Sequence, residues 1–214
     1  MNKQAPGNQK ANRTQAERTA QSDKAMIDAA IDLLLENGSA KTTLAAIGEA
    51  AGYSRGLATY RFGSKAGLFD EICKATAREW LKYLTAAVDD KTGIDAICAA
   101  ADAYHDFLTQ SPRQARVLHL LYGEATNPNA DSRMSALDTY ARQRRDIIDW
   151  IEKGKAAGQV RADAHAETIA MRFIAYIAGI THLWLIMPDA VDIAATNEDY
   201  QKQLRADLSS GAND

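Results

Sequence analysis

From Thr42 to Lys65 the chain reads TTLAAIGEAAGYSRGLATYRFGSK, and this stretch constrains the fold more than any other. It reads as two short helices joined by a tight turn, followed by the start of a third. Thr42 or Thr43 is placed to cap a helix, because a hydroxyl accepts from the orphan backbone N–H groups there. Leu44 and Ile47 follow at helical spacing. Small Ala45, Ala46, Ala50 and Ala51 surround them and let two helices cross closely. Gly52 falls where the chain must turn sharply, a position that favours glycine because positive φ is open to it. Ser54 opens a second short helix running to about Tyr60. Leu57 and Ala58 give that helix an apolar side, and Phe62 anchors into the core. Gly63 breaks the helix and Ser64 caps the next.

Such a helix-turn-helix places one helix in the major groove of DNA. The exposed face of the second short helix carries Arg55, Thr59 and Tyr60. Ser54, Gly56 and Leu57 on its opening turn complete the expected DNA-facing set. An arginine pairs bidentately with guanine or with a phosphate, and a threonine offers a hydroxyl and a methyl to base edges. Tyr60 reaches a phosphate or stacks on sugar. Thr42 and Thr43 at a helix start, and Lys65 at the next, suit phosphates. The competing reading is a helical hairpin in an ordinary all-α core. The helix–glycine–helix pattern alone does not separate the two.

Particular residues do separate them. Gly38, Thr42-Thr43, Ile47, Ala51-Gly52, Ser54, Gly56, Phe62, Ser64-Lys65 and Leu68 together resemble the N-terminal signature of the TetR family of transcriptional regulators. The resemblance covers about residues 18 to 70, with no gap from Ser54 to Lys65. It implies a dimeric DNA-binding regulator, a repressor, whose C-terminal helical domain binds a small-molecule effector. The family often has Val, Tyr and His where this chain has Tyr53, Thr59 and Tyr60, and often Glu where it has Ala66. These departures bear on which operator is read and on how the following helix is capped. A weaker resemblance to the C-terminal region of one TetR subgroup rests on Arg144-Arg145, Gly154, Gly158, Arg161, Gly179, Trp184 and Pro188.

The rest of the chain is consistent with this expectation. Of 214 residues, 46% are hydrophobic and only 4 are proline, enough for a helical core. No period-two strand of useful length occurs, so the fold class expected is all-α. The net charge of −3 argues against a DNA binder until its distribution is considered. Residues 1–65 hold 9 Lys and Arg against 6 Asp and Glu, and residues 66–214 hold 16 against 22. A basic first third on an acidic body confines DNA contact to one end. Cys73 and Cys98 show neither metal spacing nor a disulfide framework. The polar opening lacks the apolar core of a signal peptide, and the location expected is cytoplasmic. Residues 169–187 approach a membrane span in length. Arg172 and His182 interrupt them, and a central charge costs several kcal/mol in lipid, roughly 2.5–3.5 on insertion scales. No membrane partner is expected.

The domain organisation expected is a disordered tail over 1–16, a helix-turn-helix domain over 17–64, and an effector-binding and dimerisation domain over 65–214. Lys3, Lys10 and Arg13 of the tail are solvated or brush phosphates. Helices are expected at about 15–37, 65–89, 93–110, 112–126, 132–157, 165–187 and 192–208, besides the two short ones. The helix after Lys65 leads from the first domain into the second and is the expected transmission element. Met134, Leu137, Ala141, Ile148 and Ile151 are read as inward. Asp163 is read as a cap for the apolar helix.

No P-loop, GxGxxG, HExxH, CxxC or nucleophile elbow occurs, and no metal or cofactor is expected. His105-Asp106 is a tempting pair, but neighbours on a helix point apart. His119 and His182 read as satisfied core or interface histidines. The resemblance implies a pocket in the body, and Tyr104, His105, Leu108, Leu118, Tyr122, Leu137 and Phe173 are the expected effector contacts, because polar tips on apolar stripes suit a small-ligand site. The resemblance also implies that the last two helices form a four-helix dimer bundle. Tyr176, Gly179, Ile180, Leu183 and Trp184 are the expected interface. The expected partners are thus operator DNA, a second copy of the chain, and an effector of unknown identity. Two rival readings are a regulator of this fold controlled by a protein partner or by nothing, and a small all-α enzyme.

Overall fold

The computed structural model describes residues 14–210; the expected contacts of Lys3, Lys10 and Arg13 lie outside them. Among the described residues there are nine helices and no strand, only one isolated bridge between Val160 and Ser209. The chain divides into two compact units, one ending at Ser64 and one beginning at Lys65.

The first unit holds α1 (Gln15–Lys41), α2 (Leu44–Ala50) and α3 (Arg55–Phe62). Thr14 and Glu17 start α1 as a reciprocal capping box: Thr14 Oγ1 accepts from the Glu17 N–H at 3.2 Å, and Glu17 Oε2 accepts from the Thr14 N–H at 2.7 Å. Gln15 and Ala16, placed in the expected tail, already form the first turn of α1. Met26, Ala30, Ile31 and Leu34 recur at helical spacing and are almost wholly buried. Gly38 has φ of 73° and interrupts the regular helix, and Thr42 then turns the chain into α2.

The second unit holds α4 (Lys65–Val88), α5 (Gly93–Gln110), α6 (Pro112–Glu124), α7 (Arg133–Ala156), α8 (Ala166–Ile186) and α9 (Ile193–Leu208). Helix α5 packs against α4, α7 and α9, and α7 packs against α8. Its core joins Ile94, Ile97 and Ala101 of α5 to Ile147 and Ile151 of α7, Ile169 and Phe173 of α8, and Leu204 and Leu208 of α9. Beside it lies an aromatic cluster of Trp80, Tyr83, Tyr104 and Phe107, with ring centroids 5.4–6.0 Å apart. Where α5 begins, Gly93 lies against Gly154 near the end of α7. A Cβ on Gly154 would fall inside contact distance of the Gly93 Cα, so no side chain fits there. Asp192 caps α9 by accepting from the Ala195 N–H at 2.9 Å. Asp102 of α5 accepts from Asn197 and Gln201 of α9 at 2.9 and 2.6 Å.

Three expectations change here. Asp163 does not cap α8: it pairs with Arg161 at 2.7 Å, and His165 holds the cap position. Met134, Leu137 and Ala141 face outward, at 68% and 48% exposure for the first two. The inward positions of early α7 are Ser135 and Ala136 instead. Ser135 donates to Asp70 at 3.2 Å and Ser132 to the Leu121 carbonyl at 2.7 Å, so small residues sit at the close helix approach. Finally, His105 and Asp106 do not point fully apart, since Nδ1 lies 3.7 Å from Oδ1. That is beyond a hydrogen bond.

Helix α8 is long and apolar enough to cross a membrane by length and composition, yet only 28% of its most apolar stretch is buried within the chain. Met171, Leu183 and Ile186 stand 53%, 46% and 63% exposed along it.

Candidate nucleic-acid interface and ligand pocket

The turn between α2 and α3 is built almost wholly from backbone. Thr43 Oγ1 accepts from the Ala46 N–H at 3.1 Å and starts α2. The N–H groups of Gly52 and Tyr53 donate to the carbonyls of Glu49 and Gly48 at 3.0 and 2.8 Å. Gly52 has φ of +78°, and a Cβ on Gly48 would stand 2.6 Å from the Ser54 carbonyl oxygen. Helix α3 docks through buried Ala58 and half-buried Leu57 and Phe62. Arg61 ties it to α1 by forking Asp23, with Nε to Oδ1 at 2.7 Å and Nη2 to Oδ2.

The opposite face of α3 is left to solvent. Ser54, Arg55, Gly56, Thr59 and Tyr60 are all exposed, Tyr60 at 81%. Ser54 sits at the cap position without a capping hydrogen bond. Arg55 Nε meets Glu49 Oε1 at 2.5 Å across the turn. Lys65 opens α4, with its Nζ 5.6 Å from the Phe69 ring centroid. Thr42 is a correction to the expected set. It is 2% exposed, and its hydroxyl donates to the Gly38 carbonyl at 2.9 Å, so it is spent on the α1–α2 turn.

In the second unit, α4, α5, α7 and α8 enclose a cavity of about 340 Å³. Its walls are apolar, with Trp80, Leu84, Tyr104, Ile147, Trp150, Phe173, Ile174 and Ile177, and its rim carries Lys74, Arg78, Arg142, Gln143 and Asp146. A second cavity of about 780 Å³ shares Trp80, Tyr104 and Ile177 with the first and extends to Leu118, His119, Tyr122, Tyr140 and His182. Thr181 donates to the Tyr104 hydroxyl at 3.3 Å. Burial pushes the Tyr104 phenol up, keeping it a neutral hydrogen-bonding group. His119 Nε2 and His182 Nδ1 are 2.9 Å apart and share one proton between them. Desolvation, then the neighbouring His182, lowers the His119 pKa.

The profile described as "Bacterial regulatory proteins, tetR family" matches residues 26–72, which span the end of α1, the whole of α2 and α3, and the start of α4. Over residues 26–72 the chain carries the TetR-family signature. The transcriptional regulator TtgR of Pseudomonas putida is 27% identical over 180 residues, covering 82% of this chain and 85% of that protein. SmeT, the repressor of the SmeDEF multidrug efflux pump of Stenotrophomonas maltophilia, superposes with a TM-score of 0.71 at 18% identity, over 89% of this chain and 93% of that one. FadR of Bacillus subtilis, solved with stearoyl-CoA, gives a TM-score of 0.73 at 15% identity, over 86% and 97% of the two chains. At such identities the two structures bear on the fold alone.

The body residues expected to contact an effector divide. Tyr104 and Phe173 line the first cavity, and Tyr104, Leu118 and Tyr122 line the second. His105 lines neither. Leu108 is fully buried in the cluster with Phe107 and Ile180, and Leu137 is exposed. Of the expected interface residues, Gly179 and Leu183 face outward. Tyr176, Ile180 and Trp184 turn into the chain's own aromatic cluster. The Tyr176 ring stacks on Tyr200 at 3.9 Å, so these three pack within the chain first. The sequence reading missed the rim. Thr139, Arg142, Gln143, Asp146, Ile147 and Trp150 alternate steps of three and one along α7, which keeps them on one helix face. The apolar pattern of this helix points to Met134, Leu137, Ala141, Ile148 and Ile151, and gives no weight to the polar positions between them.

Proposed function

We propose that this chain is a homodimeric, cytoplasmic repressor that binds operator DNA through α3 and is released by a small ligand held in the α4–α8 pocket. The observation that carries the reading is the exposed face of α3. An arginine, a threonine and a tyrosine 81% exposed project from a helix whose other side is fixed by Ala58 and the Arg61–Asp23 fork. A fully solvated aromatic beside a base-reading pair of side chains is what a groove helix presents. The exposed Arg55–Glu49 pair contributes about 0–1 kcal/mol, so a guanine edge or phosphate displaces Glu49 readily. Thr43, Ser54, Gly56, Leu57 and Lys65 complete the proposed contact set; Thr42 does not belong to it.

The outward apolar face of α8 supports dimerisation. Two copies joined there carry two α3 helices to half-sites roughly 34–36 Å apart. The two units are joined through Gly63-Ser64 into Lys65. Helix α4, which begins there, also lines the pocket with Lys74, Arg78 and Trp80. A ligand that favours one placement of α4 by about 1–3 kcal/mol changes occupancy five- to 150-fold.

The test is an electrophoretic shift series on fragments flanking the gene, at two salt levels. Arg55→Ala is expected to weaken operator binding by roughly 1–3 kcal/mol and to relax base preference at one position. Lys65→Ala is expected to weaken all sequences alike and to flatten the salt slope. If neither variant alters binding, α3 is not the groove helix.

A further inference from the structure

The pocket rim holds more positive charge than its own carboxylates satisfy. Lys74 is committed elsewhere, its Nζ 2.6 Å from Asp70 Oδ2 and 2.9 Å from Glu71 Oε1. Among the described residues Arg142 hydrogen-bonds only the Thr139 hydroxyl, Nη2 to Oγ1 at 3.3 Å. Arg78 makes no hydrogen bond or ion pair with any described residue. Asp146 is the one acid lining this cavity, and among the described residues it forms no ion pair. Burial pushes its carboxyl up, while Arg145 and Arg142 offset that. The single acid is thus already faced by cations. Among the described residues neither Arg78 nor Arg142 forms an ion pair, and both stand at the mouth of walls made from Trp80, Trp150, Phe173 and Ile177.

From this arrangement, and resting on the reading of the pocket as the effector site, we propose that the ligand is an anionic amphiphile. Its apolar body lies among those four side chains, and its carboxylate is gripped at the rim by Arg78 and Arg142. A guanidinium presents parallel N–H donors that match a carboxylate, whereas a ligand ammonium at the same rim meets two like charges. A neutral isostere keeps the apolar contacts and loses the grip. The cavity of about 340 Å³ is over twice the roughly 150 Å³ apolar void that admits benzene, so it takes a medium chain or a two-ring body. The adjoining cavity behind Trp80 and Tyr104 extends the same apolar path for a longer one.

Three probes of equal chain length separate the possibilities: decanoate, decan-1-ol and decyltrimethylammonium, each titrated into the full chain below its micelle point. Calorimetry gives the affinity, and quenching of Trp80 and Trp150 reports arrival in the pocket. Decanoate is expected to bind tightest, the alcohol more weakly and the cation weakest. Added salt weakens decanoate alone. The double variant Arg78→Gln, Arg142→Gln is expected to lose about tenfold in decanoate affinity, as two exposed ion pairs would supply, with its helicity unchanged by circular dichroism. Equal or tighter binding of the cation, or unchanged decanoate affinity in the double variant, overturns the proposal and leaves the pocket standing as an effector site. If none of the three probes binds, the proposal and the effector reading fall together.

Discussion

Gly48 has no room for a side chain, because the Ser54 carbonyl oxygen stands 2.6 Å from where its Cβ would be. That oxygen belongs to backbone, which cannot rotate away, so α2 and α3 must separate to admit a methyl. Gly48→Ala is expected to cost about 1–3 kcal/mol, the usual range for overpacking. Operator affinity is expected to fall with it, measured by urea melts and gel shifts on the same preparation. An Ala variant as stable as the parent and binding as tightly refutes the close approach. Glu49 makes the opposite case. Its pair with Arg55 is 51% and 74% exposed at the two side chains, so Glu49→Gln is expected to leave stability within about 0.5 kcal/mol. Freed of its partner, Arg55 is expected to bind DNA at least as tightly; a clear loss of operator affinity contradicts that.

Among the elements, α8 carries the clearest consequence. A helix this apolar and only 28% buried leaves a face that water solvates poorly, the face assigned above to the proposed dimer. Leu183→Glu with Ile186→Glu is expected to convert dimer to monomer in sedimentation while helicity stays constant. A dimer that survives both charges refutes α8 as the interface. The same helix shows where sequence was legible and where it failed. Its length and apolar character were plain from 169–187, because a buried or paired helix must be apolar on most faces. Which residues pair within the chain was not plain, since Tyr176, Ile180 and Leu183 share one stripe in sequence. Only the stacking of Tyr200 on Tyr176 turns the first inward. Helix α7 failed for a related reason. Met134 and Leu137 outweigh Ser135 and Ala136 in any hydrophobic pattern, yet close helix approach selects the small pair. The α2–α3 turn was legible almost to the residue, because Gly52 and Gly63 carry positive φ that few other residues adopt. Thr42 was misread, since a hydroxyl at a helix start serves either the backbone behind it or a ligand ahead of it.

Over the whole molecule, the titratable groups that burial has moved furthest are thiols and phenols. Burial, with Asp70 adding a little, pushes the Cys73 thiol from 9.0 up to about 12. Burial likewise raises Tyr176 and Tyr200 from 10.0 to about 12. The unfolded chain releases these protons near 9 and 10, while the folded chain holds them to about 12. Above 9 the folded state therefore binds more protons, and stability falls as pH rises through the window from 9 to 12. These groups contribute no pH dependence below that window. Urea midpoints are expected to drop across it, and Cys73→Ala is expected to remove the earliest part of the drop. A flat profile refutes the burial of these groups. At neutral pH both cysteines, buried and un-ionised, are expected to resist thiol reagents until the chain unfolds.

The Gly93–Gly154 contact also limits how the pocket wall formed by α7 can move. Two backbones in touch leave little room for sliding at Gly154, so a displacement of α7 would be a swing about that point. From Gly154 back to Arg133 is about 32 Å of helix at roughly 1.5 Å per residue, and Arg142 and Thr139 lie well along that arm. A tilt of about two degrees carries the far end through about 1 Å. The Gly93–Gly154 contact would be the fulcrum of such a tilt, and the Ser132 and Ser135 hydrogen bonds at the other end of α7 would have to yield to it.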